Sequence, residues 1–178
     1  SDGPKTVYAK FKDGAGNWTG AVIDGIQLDR IAPAGSVVIN NASDDFTTSG
    51  AVTLNLTCSD PATGSSGCSQ MKFNNGSGWS SPVSFATTTT ISLLFSNGTN
   101  TVSVEYSDAA GNWATAISDE IIHDNTIAAG AVTINSGSQY ALTTSVTLTV
   151  SASDASGVAF MKFSNDGSTW SSPASYAT

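Results

Sequence analysis

Strict alternation of apolar and polar positions is the dominant local pattern of this chain. Val52, Leu54, Leu56 and Cys58 fall on one side of a two-residue period, and Thr53, Asn55 and Thr57 on the other. That is the pattern of a strand with one packed face and one wet face. The same period groups Val146, Leu148, Val150 and Ala152, then Val102, Val104 and Tyr106, then Val7, Ala9 and Phe11. Met71 with Phe73, and Ile91 with Leu93 and Phe95, add two shorter inward sets. Turn clusters separate these runs: Asn74-Asn75-Gly76, Asn165-Asp166-Gly167, Asp108-Ala109-Ala110-Gly111-Asn112 and Asp13-Gly14-Ala15-Gly16-Asn17. Gly and Asn at such places allow the positive φ that tight hairpins require. No stretch reads as a helix.

The runs recur in order. TVYAKFKDGAGNW (6–18) returns as TVSVEYSDAAGNW (101–113), a period of about 95 residues. AVTLNLTCSD (51–60) returns as SVTLTVSASD (145–154), and MKFNNGSGWSSP (71–82) as MKFSNDGSTWSSP (161–173). Tandem copies of this size predict an array of similar modules, each able to bury its own core. The complete copy is expected to hold strands near 36–40 (A), 51–58 (B), 69–74 (C), 79–86 (C′), 89–96 (E), 101–107 (F) and 114–123 (G). Seven short strands with turns every ten or so residues predict an all-β, antiparallel sandwich of immunoglobulin or fibronectin type III kind. On this division residues 1–30 hold strands F and G of one module, 31–125 a complete module, and 126–178 strands A to C′ of a further one. The linkers Leu28-Asp29-Arg30-Ile31-Ala32-Pro33 and His123-Asp124-Asn125-Thr126-Ile127-Ala128 are short, which predicts modules standing end to end.

Three of these segments together resemble a known group. The Asp-x-Ala-Gly-Asn-Trp turn after its strand, the Leu-Asp-x-x-Ala-Pro linker and the Ser-Asn-Asp-Gly-x-x-Trp-Ser hairpin are similar to the bacterial immunoglobulin-like repeats of large secreted and cell-surface proteins. Cys58-Ser-Asp through Ser-Gly-Cys68 also resembles such repeats, in which the two cysteines commonly pair. The resemblance implies a module type and not a task, since such modules serve as stalks, adhesin arms, fibre subunits and spacers beside secreted enzymes. The second linker departs from the pattern in having no proline.

Composition narrows the function. The 178 residues carry 14 acidic and six basic side chains, a formal charge of -8. Lys5, Lys10, Lys12, Arg30, Lys72 and Lys162 are scattered, so the basic footprint that nucleic-acid binding needs is missing. There is no apolar run long enough to insert in a membrane and no charged-then-apolar leader. The two cysteines stand where the next repeat has Ala152 and Val158. Their joint replacement points to a disulfide and hence to an oxidising compartment, against the alternative of two small buried hydrophobes in a reducing cell.

Chemistry is sparse. His123, the only histidine, matches Leu28 of the preceding repeat, so it reads as a strand-edge residue in preference to a base. No nucleophile elbow, phosphate loop or zinc-ligand spacing occurs, and a non-enzymatic chain with no catalytic residues is expected. In an immunoglobulin-type sandwich the B–C and F–G loops share the end at which the incoming linker arrives. Asp60 and Asp108 would then approach Asp29 and offer oxygen ligands for Ca²⁺ at a module junction. Asp108 also suits a plain turn, with its carboxylate bonding local N–H groups. Otherwise no cofactor is expected. Trp79 and Trp170 follow equivalent turns and suit either sugar stacking or a cap on the sandwich core. Asn17, Asn41, Asn55, Asn75 and Asn97 head Asn-x-Ser/Thr sequons at positions a glycosyltransferase could reach.

The expected role is therefore an extracellular or cell-surface structural or adhesive array, built as a stalk, adhesin arm or filament component. Its partners would be neighbouring repeats, copies of itself, surface glycans or other cells. The alternative is a set of carbohydrate-binding or spacer modules attached to a secreted hydrolase. The partial repeats at 1–30 and 126–178 read either as pieces of a longer array or as halves that chains complete for one another by strand exchange.

Overall fold

A computed structural model describes residues 1–43, 45–61 and 64–178. The chain forms two compact units, Ser1–His123 and Asp124–Thr178. Among the described residues every regular element is a strand apart from one 3-10 turn, Asn135–Gly137, and no helix is long and apolar enough to cross a membrane.

The first unit opens with a hairpin of β1 (Gly3–Ala9) and β2 (Val22–Leu28), paired antiparallel from Gly3 opposite Leu28 to Ala9 opposite Val22. A two-layer sandwich follows, made of β3 (Ala34–Ile39), β4 (Phe46–Thr47), β5 (Ala51–Ser59), β6 (Cys68–Asn74), β7 (Val83–Ser84), β8 (Thr88–Ser92), β9 (Gly98–Asp108) and β10 (Ile117–His123). One sheet has the order β3-β5-β8 and the other β4-β10-β9-β6-β7. These are the sheets of an immunoglobulin-type sandwich, with β3, β5, β6, β7, β8, β9 and β10 in the places of A, B, C, C′, E, F and G. The element absent from the expected set is β4. After β3 pairs with β5, the chain crosses layers and β4 runs parallel to β10. Two residues are too few to show an alternation, so only the pairing reveals this strand. Strand E ends at Ser92 and not near 96, and C′ shrinks to Val83–Ser84 behind Pro82.

The core is the contact between the inward faces. Val52, Leu54 and Leu56 of β5 are 0–3% exposed, and Val102, Val104 and Tyr106 of β9 are 0–1% exposed. Met71, Ile39, Val37 and Ile121 complete the buried set, with Phe73, Phe85, Ile91 and Leu93 packed at its margin. Phe95 departs from its expected inward place, being 54% exposed. The buried Asn100 amide explains this: its Oδ1 accepts the Phe95 N–H (2.8 Å), and its Nδ2 donates to the carbonyls of Phe95 and Gly98 (both 3.1 Å). That bracket turns the chain out of the sheet before the alternation is complete. His123 is buried in β10 with Nδ1 against the Phe95 carbonyl at 3.1 Å, in a structural place.

Tyr106 ties three elements together. Its hydroxyl donates to the Ser36 carbonyl (2.7 Å), and its ring meets Phe85 edge to face with centroids 5.8 Å apart. Gly35 makes the close approach possible, because a Cβ there would lie 2.2 Å from the Thr57 carbonyl and 2.5 Å from the Tyr106 ring.

The second unit repeats the first strands of this plan. β11 (Ala129–Ile134) pairs antiparallel with β12 (Leu148–Ser153), and β13 (Phe160–Met161) with β14 (Ala174–Ser175). The inward positions expected in the hairpin and in this unit are not buried: Val7 is 67% exposed, Phe11 62%, Val146 42% and Leu148 39%. Alternation sets which face is apolar, but burial requires a facing layer, and within each unit none covers these strands. In the second unit the uncovered face forms an apolar groove of about 780 Å³ lined by Val132, Leu148, Val150, Phe160, Trp170 and Tyr176.

Gly35→Ala should lower stability by about 1–3 kcal/mol through overpacking against Tyr106, as read from urea denaturation. Burial raises the Tyr106 pKa to about 12 from an ordinary 10.0. Neutral Tyr106 therefore contributes stability that is fully present below pH 10 and is lost as pH rises towards 12. Unfolding monitored against tyrosinate absorbance should show that alkaline loss, and Tyr106→Phe should remove this contribution.

Candidate functional site

Three segments meet at the end of the sandwich that receives the hairpin. They are the linker after β2, the described parts of the loop between β5 and β6 (60–61 and 64–67), and the turn from Asp108 to Trp113 after β9. The disulfide between Cys58 and Cys68, with Cα atoms 6.2 Å apart, joins the two roots of the middle loop across the layers. Closing so short a loop removes unfolded-state freedom worth about 3 kcal/mol in the chain-entropy picture.

Backbone N–H groups from these loops converge on carboxylates. Asp29 Oδ1 accepts the Ile31 N–H (3.2 Å) and its Oδ2 the Ser66 N–H (2.7 Å). Asp60 Oδ2 accepts the Gly67 N–H (2.9 Å). Asp108 accepts the Asn112 backbone N–H on Oδ1 (2.8 Å) and the Asn112 amide on Oδ2 (2.7 Å). The same amide nitrogen donates to the Asp29 carbonyl (3.3 Å), and the Ser66 hydroxyl accepts the Ala110 N–H (3.0 Å). Ser66 and Asn112 therefore cross-link the three segments. Ser66 opens the recognisable Ser-Gly-Cys68 run, and Asn112 is the last polar residue of the Asp-Ala-Ala-Gly-Asn turn.

The structure brings Asp29, Asp60 and Asp108 together, with one oxygen of each within 4.8 Å of the others. Asp29 and Asp108 are 8% and 2% exposed. Asp60 Oδ1 is shielded from solvent and accepts no hydrogen bond among the described residues. The Ser66 hydroxyl, then the N–H groups of Ile31 and Ser66, hold the Asp29 carboxyl below its ordinary 3.8. The ion pairs among the described residues are Arg30–Asp2 (2.8 Å) and Lys72–Glu105 (2.8 Å), and neither involves this cluster. Arg30–Asp2 instead closes the hairpin base, beside Gly64, whose missing Cβ leaves room for Gly3 and the Gln27 side chain.

Asp108 also performs the turn role. The equivalent Asp13 accepts the N–H groups of Ala15 (3.0 Å) and Asn17 (2.8 Å) and the Asn17 amide (2.9 Å). Asp13 is exposed and, among the described residues, belongs to no such cluster, so turn formation requires only the local motif.

The tryptophans have lysine partners that the sequence reading overlooked. Lys72 Nζ lies 5.0 Å from the Trp79 ring centre and 4.6 Å from that of Trp113, while Lys162 lies 5.3 Å from Trp170. Trp79 and Trp170 remain 41% and 51% exposed, each with one ring face against an ammonium. Of the sequon residues, Asn17, Asn41, Asn55 and Asn97 are exposed and Asn75 is half-buried. The side-chain amides of Asn17, Asn55 and Asn75 donate to Asp13, the Asn40 carbonyl and the Ser92 carbonyl respectively.

Fold and site together define an immunoglobulin-like β-sandwich module stapled between strands B and C. Residues 41–118, from the segment before β4 into the start of β10, match the family model described as "Domain of unknown function (DUF6701), first Ig-like domain". The match contains both cysteines, Asp60 and Asp108, and it leaves Asp29 outside. No match to the chain was found among curated proteins.

Replacing both cysteines, as Cys58→Ala with Cys68→Ala, should cost about 3 kcal/mol in denaturant unfolding. Reduction of the native chain should give the same loss.

Proposed function

We propose that this chain acts as part of a non-enzymatic, extracellular array of immunoglobulin-like modules with a structural or adhesive role. The internal repeat carries this reading. The hairpin β1–β2 reproduces the strand pair β9–β10 down to its Asp-x-Ala-Gly-Asn-Trp turn, and β11–β12 reproduces β3–β5. Repetition of a module supplies reach and multiple contacts, which suit a stalk, arm or filament better than a single reaction centre. The disulfide supports placement outside the reducing cytosol, and the acidic surface supports solubility there.

Negative-stain electron microscopy of native material, with light scattering of the 178-residue chain, tests the reading. Rods or filaments with a regular module spacing, on the cell surface or in the medium, are the expected result. Protein confined to the cytosol with reduced cysteines would overturn it. Retention by insoluble polysaccharide would shift the role to carbohydrate-binding modules beside a secreted hydrolase.

A further inference from the structure

We propose that the apolar groove of the second unit is a seat for the β1–β2 hairpin of a second copy of this chain, so that copies join head to tail. The proposal deepens the array reading and rests on it for its setting outside the cell. The first unit shows what such a seat holds: β9 packs across from β5 and pairs with β6, and its Val102, Val104 and Tyr106 fill the core.

The groove repeats the residues that receive β9. Val146, Leu148 and Val150 stand where the first unit has Val52, Leu54 and Leu56. Met161 and Phe163 stand for Met71 and Phe73, and Tyr176 for Phe85, the ring that meets Tyr106 edge to face. The hairpin repeats what is received. Val7, Ala9 and Phe11 stand for Val102, Val104 and Tyr106, and the apolar side chains Val7, Phe11, Val22 and Ile26 are all exposed. Its register is that of β9–β10, with Ala9 opposite Val22 as Val104 is opposite Ile117. The Thr19 N–H donates to the Phe11 carbonyl as the Ala114 N–H does to that of Tyr106, both at 2.8 Å.

Backbone edges match as well. In the first unit the order β10-β9-β6-β7 sets Tyr106 opposite Met71 and Val104 opposite Phe73. Among the described residues β1 pairs only with β2, and β13 only with β14. One edge of each is therefore open to ladder bonds with an added strand. Setting β1 beside β13 gives the order β2-β1-β13-β14 and repeats the register, with Phe11 opposite Met161 and Ala9 opposite Phe163.

Gly130 is an independent observation. It lies opposite Ala152 in β11–β12 as Gly35 lies opposite Cys58 in β3–β5. Gly35 is needed because the Tyr106 ring passes where its Cβ would stand. A glycine inside a strand weakens it and marks a close approach by another group. Among the described residues, the atoms that a Cβ on Gly130 would meet belong to Ser151 and Ala152 and to no ring. Phe11 of a second copy supplies the ring for that space.

Charge opposes the fit at one position. Lys10 stands for Glu105 and would face Lys162, where the first unit has the Lys72–Glu105 pair at 2.8 Å. One exposed like-charge pair costs less than the burial of several apolar side chains gains. Groove and hairpin are different surfaces, so the contact is heterologous and gives a series of oligomers in preference to a closed dimer.

Sedimentation velocity and light scattering of the 178-residue chain over a range of concentrations test the seat. Concentration-dependent species larger than a dimer are expected. Phe11→Ser, at an exposed position outside the first unit's core, should weaken association at least about tenfold. Lys10→Glu should strengthen it about twofold to fivefold by restoring an opposite-charge pair. A chain that stays monomeric at millimolar concentration would overturn the seat. So would association unmoved by Phe11→Ser, which would set groove against groove, or unchanged or weakened by Lys10→Glu. A monomeric chain beside native rods on the cell surface would end this proposal and leave the array standing. Hairpin-dependent association of a protein confined to the cytosol would do the reverse.

Discussion

The interlock of β5 with β9 across the two layers is the contact on which the rest of this structure depends. Val52, Leu54 and Leu56 meet Val102, Val104 and Tyr106 with almost no exposed area. Each such side chain, fully buried, contributes about 1.5–3 kcal/mol. Two-residue alternation makes the contact a register constraint as well, because a slip of one residue on either strand would present threonine and asparagine to the core. The loops at both ends inherit their positions from this register.

Loop positions matter most where the hairpin joins. The segments that meet there are held by a disulfide, by the Ser66 and Asn112 cross-links and by N–H groups aimed at carboxylates. Covalent and polar ties give this end a defined geometry. The gathering of three carboxylates there is answered by backbone N–H groups that each of them accepts.

The same sequence motif takes different roles according to what surrounds it. Asp13 and Asp108 sit in nearly identical turns with the same pattern of bonds to the asparagine four residues on. One remains in solvent, and the other is sealed against a linker and a neighbouring loop. Local chemistry builds the turn in both cases, and the sandwich decides whether it becomes part of a site. The Lys–Trp contacts follow the same logic: Lys12 and Lys162 each cover one ring, while Lys72 lies near two because β9 brings Trp113 to it.

By itself the sequence determined the class of fold, the faces of the main strands, the turns and the repeat. All of these arise from residues a few positions apart, where a period of two and the backbone preferences of Gly, Asn and Asp act directly. Tertiary structure alone decided what depends on distant partners. Gly35 is required because Tyr106, far along the chain, passes where a Cβ would stand. Phe95 leaves the core because Asn100 captures its backbone, and β4 exists only through its pairing with β10. The apolar faces of Val7 and Leu148 were legible as faces, yet their exposure was not, since burial is a property of two layers and alternation describes one. Asp29, Asp60 and Asp108 were legible as candidates from the expected loop ends. Their 4.8 Å gathering and the orphaned Asp60 oxygen required the packed sandwich, because only the closure of both sheets brings those three loops to one point.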